Sequence, residues 1–203
     1  MTEEAANGSD GGASRSEGAS VAARDELAGV VDLFDALTRD ELARALSELA
    51  FKQRTETNEE AIAAAIDARI AEYYLVGAPE EAVEVASDDA DDGRGLGGGG
   101  VVGSETVDGG GDEAFLAVGP AAFPTLPPNA TDLPYILDVP DREVDRERLA
   151  DVVHDRLRND ALAAMSTGAD DRLETLIDVT YDLEAWAPVD ASPIRDRLVD
   201  EVE

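Results

Sequence analysis

Apolar residues recur with helical spacing at both ends of this chain, and the spacing changes between them. Leu27, Val30, Val31, Phe34 and Leu37 stand at i, i+3, i+4, i+7 and i+10, which predicts a helix over 24–37 with one apolar face. A second stripe, Leu42, Ala45, Leu46 and Leu49, follows Thr38-Arg39-Asp40-Glu41, a capping box whose side chains can close the orphan amides of a helix start. Thr57-Asn58-Glu59-Glu60 reads as another such box. It opens a third helix with Ile62, Ala65, Ile66, Ile70 and Tyr73 on one face, stopped by Gly77 and Pro79. Ala82–Ala86 and Phe115–Val118 are short β-prone segments, expected to pair as a hairpin with an enlarged loop. Six of the nine prolines lie between Pro120 and Pro140, so this stretch is expected to run extended over the surface, with a short strand at Tyr135–Val139. The helical period returns over roughly 145–165, with Leu149, Val152, Val153, Leu157 and Met165 inward, and again over roughly 171–186. Ser192-Pro193 reads as an N-cap with proline at the first helical position, opening a terminal helix with Ile194, Leu198 and Val202.

Composition interrupts this pattern twice. Residues 1–21 are mostly Ser, Gly, Ala and acid, and bury too little to offset ordering entropy, so a disordered acidic tail is expected there. The same holds for the Gly/Asp-rich insertion 87–112. The expected fold is mainly α: a winged-helix-like three-helix unit with a short hairpin over 22–140, including a Pro-rich segment at 119–140, and a helical C-terminal unit over 141–203 packed on it.

Charge then dominates. The 203 residues carry 47 acids against 16 bases, a formal net charge of -31, and fifteen of the sixteen bases are Arg, Lys52 being the exception. Arg is less strongly hydrated than an ammonium and pairs well where water is scarce. With no Cys and only four Phe, the composition matches a protein of a salt-loving cytoplasm. The Debye length is roughly 10 Å at 0.1 M salt and about 3 Å at 1 M, so the fold is expected to loosen at low salt.

Several chemistries are excluded or disfavoured. Without Cys there is no disulfide, zinc-thiolate site or thiol nucleophile. No apolar run approaches eighteen residues, and Met1-Thr2-Glu3-Glu4 does not begin an export signal, so no membrane partner is expected. Asn7-Gly8-Ser9 and Asn129-Ala130-Thr131 match the glycosylation pattern and are read as chance. Gly93-Arg94-Gly95-Leu96-Gly97-Gly98 spells G-x-G-x-x-G, but it lies in low-complexity sequence without the strand and helix a dinucleotide site needs. Asp151, His154 and Asp155 fall at i, i+3 and i+4, yet sit off the apolar stripe beside Arg156 and Arg158, and read as a solvated face. Pro124-Thr125-Leu126-Pro127 reads as an extended linker. No catalytic, cofactor or metal residue is assigned.

One stretch stands out against the acid. Over 38–57, Arg39, Arg44, Lys52 and Arg54 balance four acids. These four, with Phe123 and the single tryptophan Trp186, are the candidate contact surface. The third helix carries Glu59, Glu60, Asp67 and Glu72 against Arg69 alone, a poor face for phosphate. Three functions follow in order: a non-enzymatic cytoplasmic regulatory or adaptor protein acting through a protein partner or self-association; a winged-helix transcription regulator, with nucleic acid not favoured; and an enzyme with an unidentified carboxylate site.

The segments Asp25–Phe34, Leu42–Phe51, Pro120-Ala121-Ala122-Phe123-Pro124-Thr125-Leu126-Pro127 and Tyr181–Val189 together resemble a family of uncharacterised haloarchaeal proteins, a domain of unknown function, over roughly 24–200 with the Gly-rich insertion excluded. The resemblance implies no activity and no site residue.

Overall fold

The computed structural model describes residues 13–55, 57–85 and 115–202, with side chains from Ala23 onward. It is mainly α, with seven α-helices and two small antiparallel sheets among the described residues. Residues 1–12 of the expected tail and the insertion expected at 87–112 lie outside them. Residues 13–21, expected to be disordered, instead begin the first helix, α1 (Ala13–Asp32).

The expected stripe of α1 is buried at Leu27, Val30 and Val31, but the helix does not reach residue 37. Asp35 has φ 58, a left-handed turn, and Ala36–Leu37 is a strand, β1. The capping box that opens α2 (Arg39–Gln53) is complete: the Glu41 amide donates to Thr38 Oγ1 at 3.2 Å and the Thr38 amide donates to the Glu41 carboxylate at 2.7 Å. The start of α3 (Glu59–Ala71) differs from the expected box. Asn58, not Thr57, is the cap, its Oδ1 accepting from the Ala61 amide at 2.7 Å. α3 also ends early. Tyr73 adopts φ 63, and Leu75–Ala78, expected to include the helix stop, is strand β2.

The expected hairpin between Ala82–Ala86 and Phe115–Val118 is not the pairing found. β4 (Phe115–Val118) pairs antiparallel with β2 and, on its other edge, with β1, giving the order β1-β4-β2. A 3-10 turn at Glu80–Ala82, set by Pro79, separates β2 from β3 (Val83–Val85), which pairs with β5 (Arg142–Val144). Side chains alternate across the three-stranded sheet. Leu37, Leu75, Leu116 and Val118 enter a front core with α1, α2 and α3. Ala36, Val76, Ala78 and Ala117 enter a back core with Leu149, Val153 and Leu157. The sheet is thus a wall shared by two cores, and the small residues Ala36, Ala78 and Ala117 on its back face leave room for α5 (Arg146–Thr167).

The Pro-rich segment is a strap. The Thr125 amide donates to the Asp25 carbonyl at 3.0 Å and the Phe123 amide to Asp25 Oδ1 at 3.1 Å, tying it to α1. The strand expected at 135–139 is absent. Leu133–Ile136 forms one turn of helix, α4, with Leu133 and Leu137 in the front core. α5 ends at Gly168 with φ 63. α6 (Asp170–Trp186) and α7 (Ser192–Val202) complete the back core with Leu173, Leu176, Leu183, Ile194 and Leu198.

Candidate functional site

The structure separates the residues of the candidate contact surface. Arg39 is held by Asp67 of α3 at 2.6 Å. Lys52 faces Asp132 and the Asn129 carbonyl, both at 3.5 Å. Arg44 and Arg54 are exposed and make no ion pair among the described residues. They stand ten residues apart, roughly 15 Å along the helix, and do not form one patch. Phe123 is exposed on the strap beside α1. Trp186 is no exposed anchor: it packs against the back core with the Arg146 guanidinium 5.4 Å from its ring centroid.

What the structure does assemble is a groove between α2 and α3, closed at one side by Ile136 and Leu137 of the strap, with a volume of about 960 Å³. It runs on over Ser47, Phe51 and Ile62 into a second depression at the α2–α3 turn. Ile62 and Ile66 form its buried floor. Phe51 stands at its rim 79 % exposed, and Ile136 is 45 % exposed. Leaving a Phe in water forfeits roughly 2 kcal/mol of burial. Asp40, Glu48 and Glu59 edge the groove against Arg44 and the already paired Arg39. Sequence reasoning missed Phe51 and Ile136. The available signal was that Phe51 falls outside the Leu42–Ala45–Leu49 stripe in a chain with four Phe.

Both walls of the groove are fixed from outside. At the start of α2, Arg142 of β5 grips Glu41 with hydrogen bonds of 2.6 and 2.8 Å and donates a third to the Ala36 carbonyl. Its guanidinium also lies 4.7 Å from the Phe115 ring centroid. Burial alone would raise the Glu41 carboxyl; the Arg142 hydrogen bonds and the Thr38 amide outweigh it and hold the group below the usual carboxylate range. At the end of α3, Arg156 donates to the Ile70 carbonyl and Arg172 to the Ala71 carbonyl, so two cations of the back unit meet the negative end of the helix. Between them the buried Tyr73 hydroxyl donates to Asp160, and burial pushes its pKa well up.

No group of three or more His, Asp or Glu is placed to hold a metal among the described residues, and Asp151, His154 and Asp155 form none. No helix among them is long and apolar enough to cross a membrane. No curated protein and no solved structure is matched by the chain. A family model does match, over residues 25–203, a span that includes the Gly-rich insertion and covers both cores. On that match, the chain belongs to the family of unknown function DUF7109.

Proposed function

We infer that this is a non-enzymatic regulatory or adaptor protein of a halophilic cytoplasm, which works by holding another protein in the α2–α3 groove. The observation that carries the reading is Phe51, exposed at the rim of a groove with an isoleucine floor. Apolar attraction is strengthened by excluded salts, while charge attraction beyond about 3 Å is screened at molar salt. A halophilic contact surface therefore needs an apolar anchor. The rim acids Asp40, Glu48 and Glu59 select the occupant: an amphipathic segment with apolar residues on one side and Arg on its flanks.

A second reading, DNA binding, is favoured by one observation. The succession α1-β1-α2-α3-β2-β3-β4 with sheet order β1-β4-β2, β3 pairing elsewhere with β5, is like that of winged-helix domains, in which α3 would read the major groove. Fold alone does not give function. The cation of α3, Arg69, is turned to Glu72 at 3.1 Å, and its exposed face offers Glu59, Glu60 and Asp67. Residues 86–114, where a wing would fall, hold eight acids and one Arg. Phosphate recognition needs the opposite charge.

Affinity capture from lysate in molar KCl separates the two. The wild-type chain is expected to retain a protein that Phe51→Asp loses and that Val152→Asp, altered on the exposed side of α5, keeps. Equal retention by both variants, or none by the wild type, contradicts the groove. A gel shift at the same salt that Arg44→Ala and Arg54→Ala abolish establishes the DNA reading in its place.

A further inference from the structure

A second depression lies on the opposite unit, between α5 and α7, with a volume of about 280 Å³. Taking about 30 Å³ per water, it has space for roughly nine waters, or a molecule of about ten heavy atoms. His154, Arg158 and Leu162 come to it from one face of α5, at i, i+4 and i+8. Asp190, Ile194 and Arg197 come from the start of α7 and the turn before it.

Its chemistry is unlike the rest of the surface. In a chain with 16 bases and a net charge of -31, two arginines and the single histidine line one depression. The floor is apolar: Ala161 and Ile194 are buried, and Met165 and Pro193 line it with them. Arg197 makes no ion pair among the described residues. Arg158 pairs with Asp155 of its own helix at 3.1 Å, an exposed pair, 53 % and 64 %, of the kind that contributes little and exchanges readily. The one acid of the lining, Asp190, is already engaged. It accepts from both the Ser192 hydroxyl and the Ser192 amide.

We propose that this depression is a binding site for a small organic carboxylate: the carboxylate on Arg158 and Arg197, and a compact apolar body over Ile194, Ala161 and Met165. A guanidinium fork matches the two oxygens of a carboxylate. Such contacts, at under about 3 Å, are as short as the Debye length at 1 M salt and survive it, while the apolar part is strengthened by salt. The site is independent of the α2–α3 groove, which lies across the sheet.

The test is a titration of the full chain in molar KCl with phenylacetate, followed by the methyl resonances of Ile194 and Met165. 2-Phenylethanol and inorganic phosphate serve as half-probes, one without the charge and one without the ring. Phenylacetate is expected to saturate, with both half-probes at least about tenfold weaker, a factor worth 1.4 kcal/mol. Arg197→Gln, an exposed change that leaves the fold intact, is expected to weaken phenylacetate about tenfold or more. Leu162→Gln, at the apolar rim, should weaken phenylacetate and 2-phenylethanol alike. No saturation by phenylacetate overturns the site. Equal binding of 2-phenylethanol, equal binding of phosphate, or unchanged affinity in Arg197→Gln overturns the carboxylate assignment.

Discussion

The hydroxyl of Tyr73 donates to Asp160 Oδ2 at 2.8 Å, linking the residue that ends α3 to the middle of α5. Tyr73 is fully buried with φ 63, a conformation uncommon for a bulky side chain and held here by its surroundings. Arg156 stacks 4.1 Å from its ring centroid, and Asp160 is also held by Arg172 at 3.1 Å. Tyr73→Phe keeps the ring and leaves Asp160 its arginines. It is expected to cost about 1 kcal/mol in urea unfolding at molar KCl. No loss at all would mean that the hydroxyl does not bind the two units.

Glu41 makes stability depend on pH. Its pKa is lower in the folded chain than the ordinary 4.5, so the folded state binds fewer protons than the unfolded one. Its contribution is therefore complete above pH 4.5 and is lost as pH falls through the folded value. Glu41→Gln is expected to cost about 2 kcal/mol at neutral pH, and the gap from wild type should close on acidification below pH 4.5. Asp35 and Asp182, raised chiefly by burial, act in the opposite direction, but equally in both proteins. A gap that stays constant down to pH 3 contradicts the Arg142–Glu41 grip.

At Gly29 the strap crosses α1. A Cβ there would stand 2.2 Å from the Thr125 carbonyl oxygen and 2.5 Å from its carbon, both backbone atoms. In an open helix Gly→Ala gains about 1 kcal/mol. Gly29→Ala is expected instead to destabilise by about 1–3 kcal/mol, the range for an overpacked site. A raised melting temperature would show that the strap does not lie there.

Net charge sets the salt response. With a net charge of -31 over the whole chain, the melting temperature is expected to rise steeply between 0.1 M KCl and molar KCl, as the Debye length falls from roughly 10 Å to about 3 Å. Circular dichroism at the two salts measures it, and equal midpoints contradict the halophilic reading.

The helices were legible because their stripes are long: Leu27–Val31, Leu42–Leu49 and Leu149, Val153 and Leu157 face a core where the period placed them, whereas Val152, expected inward, is 40 % exposed at the edge of its stripe. Phe34 to Leu37 and Ile70 to Tyr73 continued that period into chain that is not helical. In both places one residue with positive φ, Asp35 or Tyr73, turns the backbone into a strand. Neither is a glycine, so nothing local announced the turn, and Tyr73 is held by Asp160, eighty-seven positions away. Strand pairing was misread for a related reason. β2 was hidden inside an apparent helix, so the visible β-prone segment at 83–85 was given its partner. At the candidate site, the cations of 38–57 were legible as a charge anomaly, but their pairing with Asp67 and Asp132 needed tertiary structure. Phe51 lies off the Leu42–Ala45–Leu49 stripe, which marks it as different, but whether another element covers an off-stripe aromatic is settled only by tertiary packing.

The groove is tested most directly by placing a photo-crosslinking phenylalanine analogue at position 51 and irradiating the chain in lysate of its source cells brought to molar KCl. The same analogue at position 152, on the exposed side of α5, is the reference. An adduct is expected from position 51 alone, mapping to an apolar segment flanked by Arg on a partner protein. Adducts to nucleic acid, equal adducts from both positions, or none from position 51 would contradict the groove.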